Sequence, residues 1–276
     1  MPTFREKSAE VERAESKRLE HFQAALLAVL AAMLPAAEYA LKGGGNLRFF
    51  LGSARRSRDL DFDFLGRNFS TFAAHVDQAL ASGTLARAVG AAGLAAANPH
   101  RSKDTETTKR WNIELSGADS TGGARLKIEI SGRGPVASAD PVMGTARSEF
   151  GAVMPGRLPR MLHYQPPQAI EQKVNALAMR RETEPRDVFD LGFLFQGFPR
   201  ALDRAALDSN RTQRAINSAL DIRYGAYEKL VLRYLDDDAL PLYLGEDAWH
   251  DLVLFVVQSL ERRLTAGDDS APTAEG

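Results

Sequence analysis

The stretch that most constrains this chain runs from Leu41 to Phe64, where Leu-Lys-Gly-Gly-Gly-Asn-Leu-Arg is followed shortly by Arg-Asp-Leu-Asp-Phe-Asp-Phe. Successive side chains of a strand point to opposite faces, so Asp59, Asp61 and Asp63 share one face and Leu60, Phe62 and Phe64 the other. One face buries and the other collects negative charge. Same-face neighbours lie roughly 6.7 Å apart along a strand, close enough for Asp59 and Asp61 to lean together and hold hard cations through their oxygens. Magnesium relieves the repulsion between two such carboxylates.

Upstream, Tyr39–Lys42 reads as a short strand, and Gly43, Gly44 and Gly45 follow where the backbone turns sharply or meets a ligand closely. Backbone N–H groups in such a turn can cradle a triphosphate. Ser57, on the Asp59 face, is placed to hydrogen-bond a phosphate or the glycine turn. Arg48, Arg55, Arg56, Arg58 and Arg67 surround the acidic strand, either as a solvated face or as a grip on phosphates. This order of motifs points to metal-assisted phosphoryl or nucleotidyl transfer; P-loop and dinucleotide fingerprints do not fit it.

Composition narrows the chemistry further. With 276 residues, 44% apolar and 26% charged, the chain can form one large or two small globular domains. The absence of cysteine excludes disulfides, thiolate zinc sites and a cysteine nucleophile, and the five histidines show no ligand spacing. Any metal site is therefore built from oxygen. No run of 18 apolar residues occurs, as a membrane span requires, and the charged N-terminus does not read as a signal peptide, so a cytoplasmic protein without a membrane partner is expected. The net charge of −1 provides no global attraction to nucleic acid, leaving only local patches for that purpose.

Residues 6–34 suit an amphipathic helix, and 70–89 a second with Ser70 or Thr71 as N-cap, before a glycine-broken stretch over 90–99. Alternation predicts strands at Trp111–Leu115 and Leu126–Ile130, a candidate hairpin beside the aspartate strand. Glu129 then becomes the natural third carboxylate of a two-metal site; Glu114 occupies a comparable position, but the pattern around Glu129 is cleaner. From Pro166 the chain turns helical, with helices at 168–181, 186–196, 200–220, 224–235 and 246–263. Lys173 and Arg180, two helical turns apart, share a face, and Asp187 and Asp190 share another at i, i+3. Folded over the sheet, Lys173 would neutralise β- and γ-phosphate charge while an aspartate fixes it or a metal-bound water.

Taken together, Leu41–Arg48, Arg55–Asp61, Lys127–Ile130, Lys173–Arg180 and Arg186–Leu191 resemble, in order, the motifs of the AbiEii/AbiGii-type nucleotidyltransferase toxins, within the polymerase-β-like nucleotidyltransferase superfamily. The match spans about residues 38–196. Gly45 and Asn46 depart from the commoner Thr-Ala, and Asp63 is an acid the pattern does not require. The resemblance implies an α+β fold, a polymerase-β-like mixed sheet flanked by helices with a C-terminal helical domain. The expected division is 1–165 for the nucleotidyltransferase domain, 166–265 for a helical domain lending Lys and Asp to the cleft, and 266–276 for a disordered tail.

It also implies Mg²⁺ on Asp59 and Asp61, two ions in all, and transfer of a nucleoside monophosphate from an NTP with release of pyrophosphate. Lys173 and either Asp187 or Asp190 are then essential, and Gly43, Gly44, Gly45, Ser57 and Arg180 are the expected nucleotide contacts. A tRNA 3′ end or another RNA is the expected acceptor, and a cognate antitoxin the expected partner. Two alternatives share the same residues: an AMPylase-like enzyme that modifies protein, and a nucleotide- or antitoxin-binding module without catalysis.

Overall fold

The computed structural model describes residues 4–91, 93–117, 124–134, 140–151 and 158–268. It divides into two compact units, one over Met1–Val136 and Asp140–Tyr164, the other chiefly over Gln165–Gly276.

The first unit opens with helix α1 (Phe4–Met33), then strand β1 (Tyr39–Lys42). The three glycines do not form an open turn. They wind into a single helical turn, α2 (Gly43–Asn46), which runs into a π-helical turn over Leu47–Leu51. Strand β2 (Asp59–Phe64) carries the aspartates. The helix expected over 70–89 is two, α3 (Phe69–Leu80) and α4 (Gly83–Ala91). Asn68 caps the first by accepting from the Thr71 N–H, and Ser82 restarts the second by accepting from the Leu85 N–H.

Next come β3 (Leu94–Asp104), β4 (Thr108–Gly117), β5 (Ala124–Ser131), β6 (Val142–Thr145) and β7 (Arg160–His163), and the seven strands form one mixed sheet in the order β3-β4-β5-β2-β1-β7-β6. The hairpin of β4 and β5 does lie beside the aspartate strand. Sequence periodicity shows neither β3, β6 nor β7. β3 is an edge strand whose pairing shifts register between Ala97 and His100, around Pro99 and the left-handed Asn98 at φ 51°. Proline and a bulge are tolerated there because an edge strand has one partner.

Alternation sorts the sheet into two faces. Leu60, Phe62, Trp111, Ile113, Leu126, Ile128 and Ile130 are buried on the apolar face, in one core with Phe22, Leu26, Leu27 and Leu30 of α1 and with Phe72 and Val76 of α3. The opposite face carries the charges. α1 does more than pack: its Glu20 carboxylate accepts from Arg48 Nε at 2.5 Å and lies 3.5 Å from Arg56 Nε, and Gln23 Nε2 donates to the Ser57 carbonyl at 3.0 Å. Arg48 and Arg56, expected as a solvated face or as phosphate contacts, are thus interior pillars tying the segment before β2 to α1.

The second unit is helical: α5 (Pro166–Met179), α6 (Pro185–Gly197), α7 (Pro199–Arg204), α8 (Ser209–Leu220), α9 (Tyr224–Leu230), α10 (Leu240–Tyr243) and α11 (Glu246–Asp268). The helix expected over 200–220 is broken at Ala205, and that expected over 224–235 ends in a 3₁₀ turn at Leu232–Tyr234. α11 outlasts its expected end and takes in Ala266–Asp268, the start of the expected tail; residues 269–276 lie outside the described residues. No described helix is long and apolar enough to cross a membrane.

Candidate active site

β2 is the axis of the site because of its two neighbours. Antiparallel pairing with β1 sets Lys42 opposite Asp61, and parallel pairing with β5 sets Lys127 beside Asp59 and Glu129 beside Asp61. Residues in register share a face, so Asp59, Asp61, Asp63, Lys42, Lys127 and Glu129 all stand on the polar side. Glu114 lies farther along β4, opposite Arg125, which it meets at 3.7 Å. Register therefore places Glu129, and not Glu114, next to Asp61.

The three aspartates have different surroundings. Asp63 is 1% exposed, with Lys42 Nζ 2.5 Å from Oδ1 and the Tyr164 hydroxyl donating to Oδ2 at 2.7 Å. Both oxygens are taken, so Asp63 serves to hold Lys42 in place. Asp59 Oδ2 is 3.0 Å from Lys127 Nζ, and its carbonyl accepts from the Ser57 hydroxyl at 2.8 Å. The Asp61 carboxylate has no hydrogen bond or ion pair among the described residues. Burial pushes its carboxyl above the usual range and the Asp59 charge adds to this; Lys127 and Lys42 pull it down, and Glu129 again raises it.

The donor chemistry fits a hard divalent cation: two carboxylates on one strand, one of them unpaired and electrostatically crowded. Among the described residues no three such groups converge as a closed ligand set. Glu129 instead accepts from Arg110 Nε at 2.8 Å and from its terminal nitrogen at 2.6 Å. Both bonds end on Oε2, so Arg110 does not occupy Oε1.

The glycines differ as well. Gly43 has φ +64°, and a Cβ there would stand 3.1 Å from Asp61 Oδ2. A Cβ on Gly44 would fall 2.8 Å from Ser57 Oγ and 3.0 Å from an Arg55 guanidinium nitrogen. Gly45 abuts the Leu60 and Leu41 side chains, so its bareness serves core packing. Asn46, the departure from the commoner Thr-Ala, is buried; it donates to the Tyr164 carbonyl at 2.9 Å and meets His163 Nδ1 at 3.1 Å, fastening the turn to β7. Gly43→Ala is expected to lower the unfolding free energy by about 1–2 kcal/mol, the cost of a left-handed L-residue. Urea denaturation measures it, and an unchanged midpoint would contradict the conformation.

In the second unit, Lys173 of α5 lies 2.9 Å from Asp187 Oδ1 and 2.6 Å from Asp190 Oδ2 of α6, both aspartates fully buried. Arg180 Nε stands 3.3 Å from Asp187 Oδ2. The cationic stripe is thus matched by the two acids, and Lys173 touches both.

Several of these residues escape sequence reasoning. Lys42, Lys127 and Arg110 appear only as charges at strand positions, and the one hint is the Lys-x-Glu alternation of β5. Tyr164 gives no signal at all, since its partner Asp63 is remote in the chain.

Two structures from Helicobacter pylori are similar in fold: JHP933, at 21% identity over 92% of this chain and 95% of that one with a TM-score of 0.58, and a putative nucleotidyltransferase, at 22% identity over 92% and 97% with a TM-score of 0.57. MenT4, a nucleotidyltransferase toxin from Mycobacterium tuberculosis, aligns at 16% identity over 91% of this chain and 85% of that one, with a TM-score of 0.57. No curated protein matches by sequence. The family described as "Nucleotidyl transferase AbiEii toxin, Type IV TA system" matches residues 25–256. A match over most of the chain, on a fold shared with such toxins, makes this a nucleotidyltransferase of the AbiEii toxin family.

Proposed function

We propose that the chain transfers a nucleoside monophosphate from an NTP to an RNA acceptor, the 3′ end of a tRNA, and releases pyrophosphate. The observation that carries this reading is Asp61: an unpaired carboxylate beside Asp59 and Glu129, backed by the glycine turn. Asp59, Asp61 and Glu129, the last through Oε1, are the residues to hold Mg²⁺, two ions in all. Bound there, the ions supply charge neutralisation and a lowered pKa for the attacking hydroxyl.

The rest is the work of the chain itself. Gly43 and Gly44 let the backbone approach a triphosphate, Gly45 packs the turn onto the sheet, and Ser57 braces it from below. Lys42, fixed by Asp63, and Lys127, fixed by Asp59, place two positive charges beside developing negative charge. Lys173 and Arg180, oriented by Asp187 and Asp190, are proposed to serve the same reaction. As a member of a toxin–antitoxin family the protein is read as acting in the cytoplasm, with a cognate antitoxin as its partner.

The test is incubation of the full chain with Mg²⁺, each α-labelled NTP in turn, and total tRNA or cell protein, beside an Asp59→Ala control. Label entering tRNA only with the intact carboxylate is the expected result. Label in protein would replace this reading by AMPylation. NTP binding indifferent to loss of Asp61, without pyrophosphate release, would replace it by a binding module.

A further inference from the structure

Beyond Asp63, where β2 and β5 end, the first unit holds an open cavity of ≈ 640 Å³. Its floor is the stacked pair Phe64 and Phe69, ring centroids 4.9 Å apart. Arg67, between β2 and α3, and Arg133, just after β5, line it, and both are exposed. Six arginines of this unit are already neutralised: Arg48 and Arg56 by Glu20, Arg101 by Asp77 and Asp104, Arg110 by Glu129, Arg125 by Glu114 and Arg147 by Glu149. Arg67 and Arg133 form no ion pair among the described residues. Two uncompensated guanidinium groups therefore share one cavity, with Asp140 as its single carboxylate.

The cavity lies at the strand ends and adjoins the polar face through Asp140. Asp140 is near enough to Tyr164 for its charge to help push the phenol's pKa up, after burial and the bond to Asp63. Tyr164 in turn grips Asp63, two residues from Asp61. Phe64 follows Asp61 by three strand positions, on the order of 10 Å. The glycine turn, proposed above for the triphosphate, lies at the opposite end of β2, since β1 runs antiparallel to it and delivers Gly43 beside Asp61.

Glycines shape the wall. A Cβ on Gly132 would fall 2.6 Å from the Phe69 ring, and Gly134 holds φ +78°. Lys109 already covers one face of Phe69, 5.3 Å from its centroid, so the floor offers shape more than a free stacking platform.

We propose that this cavity holds the phosphodiester backbone of the acceptor RNA, with Arg67 and Arg133 on its phosphates. Guanidinium groups match phosphate oxygens bidentately, which suits a backbone read without regard to sequence. At roughly 3.4 Å of rise per stacked nucleotide, a 10 Å span corresponds to about three nucleotides, so a strand gripped here brings its terminal hydroxyl to Asp61. This inference rests on the RNA-acceptor reading above, and its test separates the two.

Binding of fluorescent tRNA to the full chain is measured by anisotropy across a salt series, for wild type and for an Arg67→Ala/Arg133→Ala variant, with NTP affinity followed in parallel. Both side chains are exposed, so the variant keeps its fold, which circular dichroism checks. The expected result is a slope of log affinity against log salt that is shallower by about 1.4–1.8 in the variant, 0.7–0.9 for each phosphate that an arginine no longer neutralises. RNA binding with an unchanged slope would overturn the cavity assignment alone. So would a fall in NTP affinity in place of RNA affinity, which would make the cavity a nucleotide pocket. If wild type binds no RNA, the acceptor reading itself is overturned and the cavity assignment goes with it.

Discussion

Asp61→Asn is expected to abolish nucleotide transfer and at the same time raise the melting temperature. Asp61 is the one carboxylate of β2 with no partner among the described residues, and burial together with Asp59 and Glu129 holds its pKa above the ordinary value. A carboxyl whose folded pKa is raised costs stability when ionised at neutral pH. The folded state then binds more protons than the unfolded one between the ordinary and the raised pKa, so stability rises as pH falls through that window. Asparagine keeps the shape and removes both the cost and this pH dependence.

A divalent cation relieves the same strain. Mg²⁺ should stabilise the wild type by mass action, by about 2.7 kcal/mol at a hundredfold excess over Kd, and so raise its melting temperature, while leaving Asp61→Asn unmoved. Thermal scans at several pH values, with Mg²⁺ and with chelator, test every part. A variant less stable than wild type without metal would show that Asp61 is a structural anchor and not a strained ligand.

The largest loss of stability is expected in the helical unit, at Lys173. Its ammonium lies 2.9 and 2.6 Å from two fully buried carboxylates. Breaking a buried pair by removing one partner leaves uncompensated charge and costs about 3–5 kcal/mol. Lys173→Ala would take the shared ammonium away from both carboxylates, so its urea midpoint should fall sharply. Lost activity in that variant therefore proves nothing about catalysis by itself. The informative comparison is Lys173→Met with Asp187→Leu and Asp190→Leu, where apolar replacement of the whole cluster should recover most of the stability. Recovered folding without transfer would assign the cluster a role in the reaction. Recovered transfer would make it purely structural.

The elements with a strong period are legible in the sequence: β2, β4 and β5 from alternation, and α1, α5, α6 and α11 from helical spacing and their proline or capping boundaries; the short β1 is read from the glycines that close it. β3 is not, because its Leu-Ala-Ala-Ala-Asn-Pro start carries no apolar–polar alternation, and an edge strand with a bulge and a proline does not require one. β6 and β7, four residues each, are too short to show a period. The arginines around the acidic strand read alike in sequence, yet Arg48 and Arg56 are interior partners of Glu20, whereas Arg67 faces an open cavity.

By itself the sequence determined which residues share a face: Asp59 with Asp61, Lys173 with Arg180, Asp187 with Asp190. These relations are local, set by the two-residue period of a strand and the 3.6-residue period of a helix. What the tertiary structure alone decided is which face meets which. The choice of β5 and β1 as neighbours of β2 gives Asp59 a lysine, leaves Asp61 unpaired, sets Glu129 beside it, and turns Asp63 into a support for Lys42 with Tyr164. Strand order and register join residues far apart in the chain, and no local period carries that information.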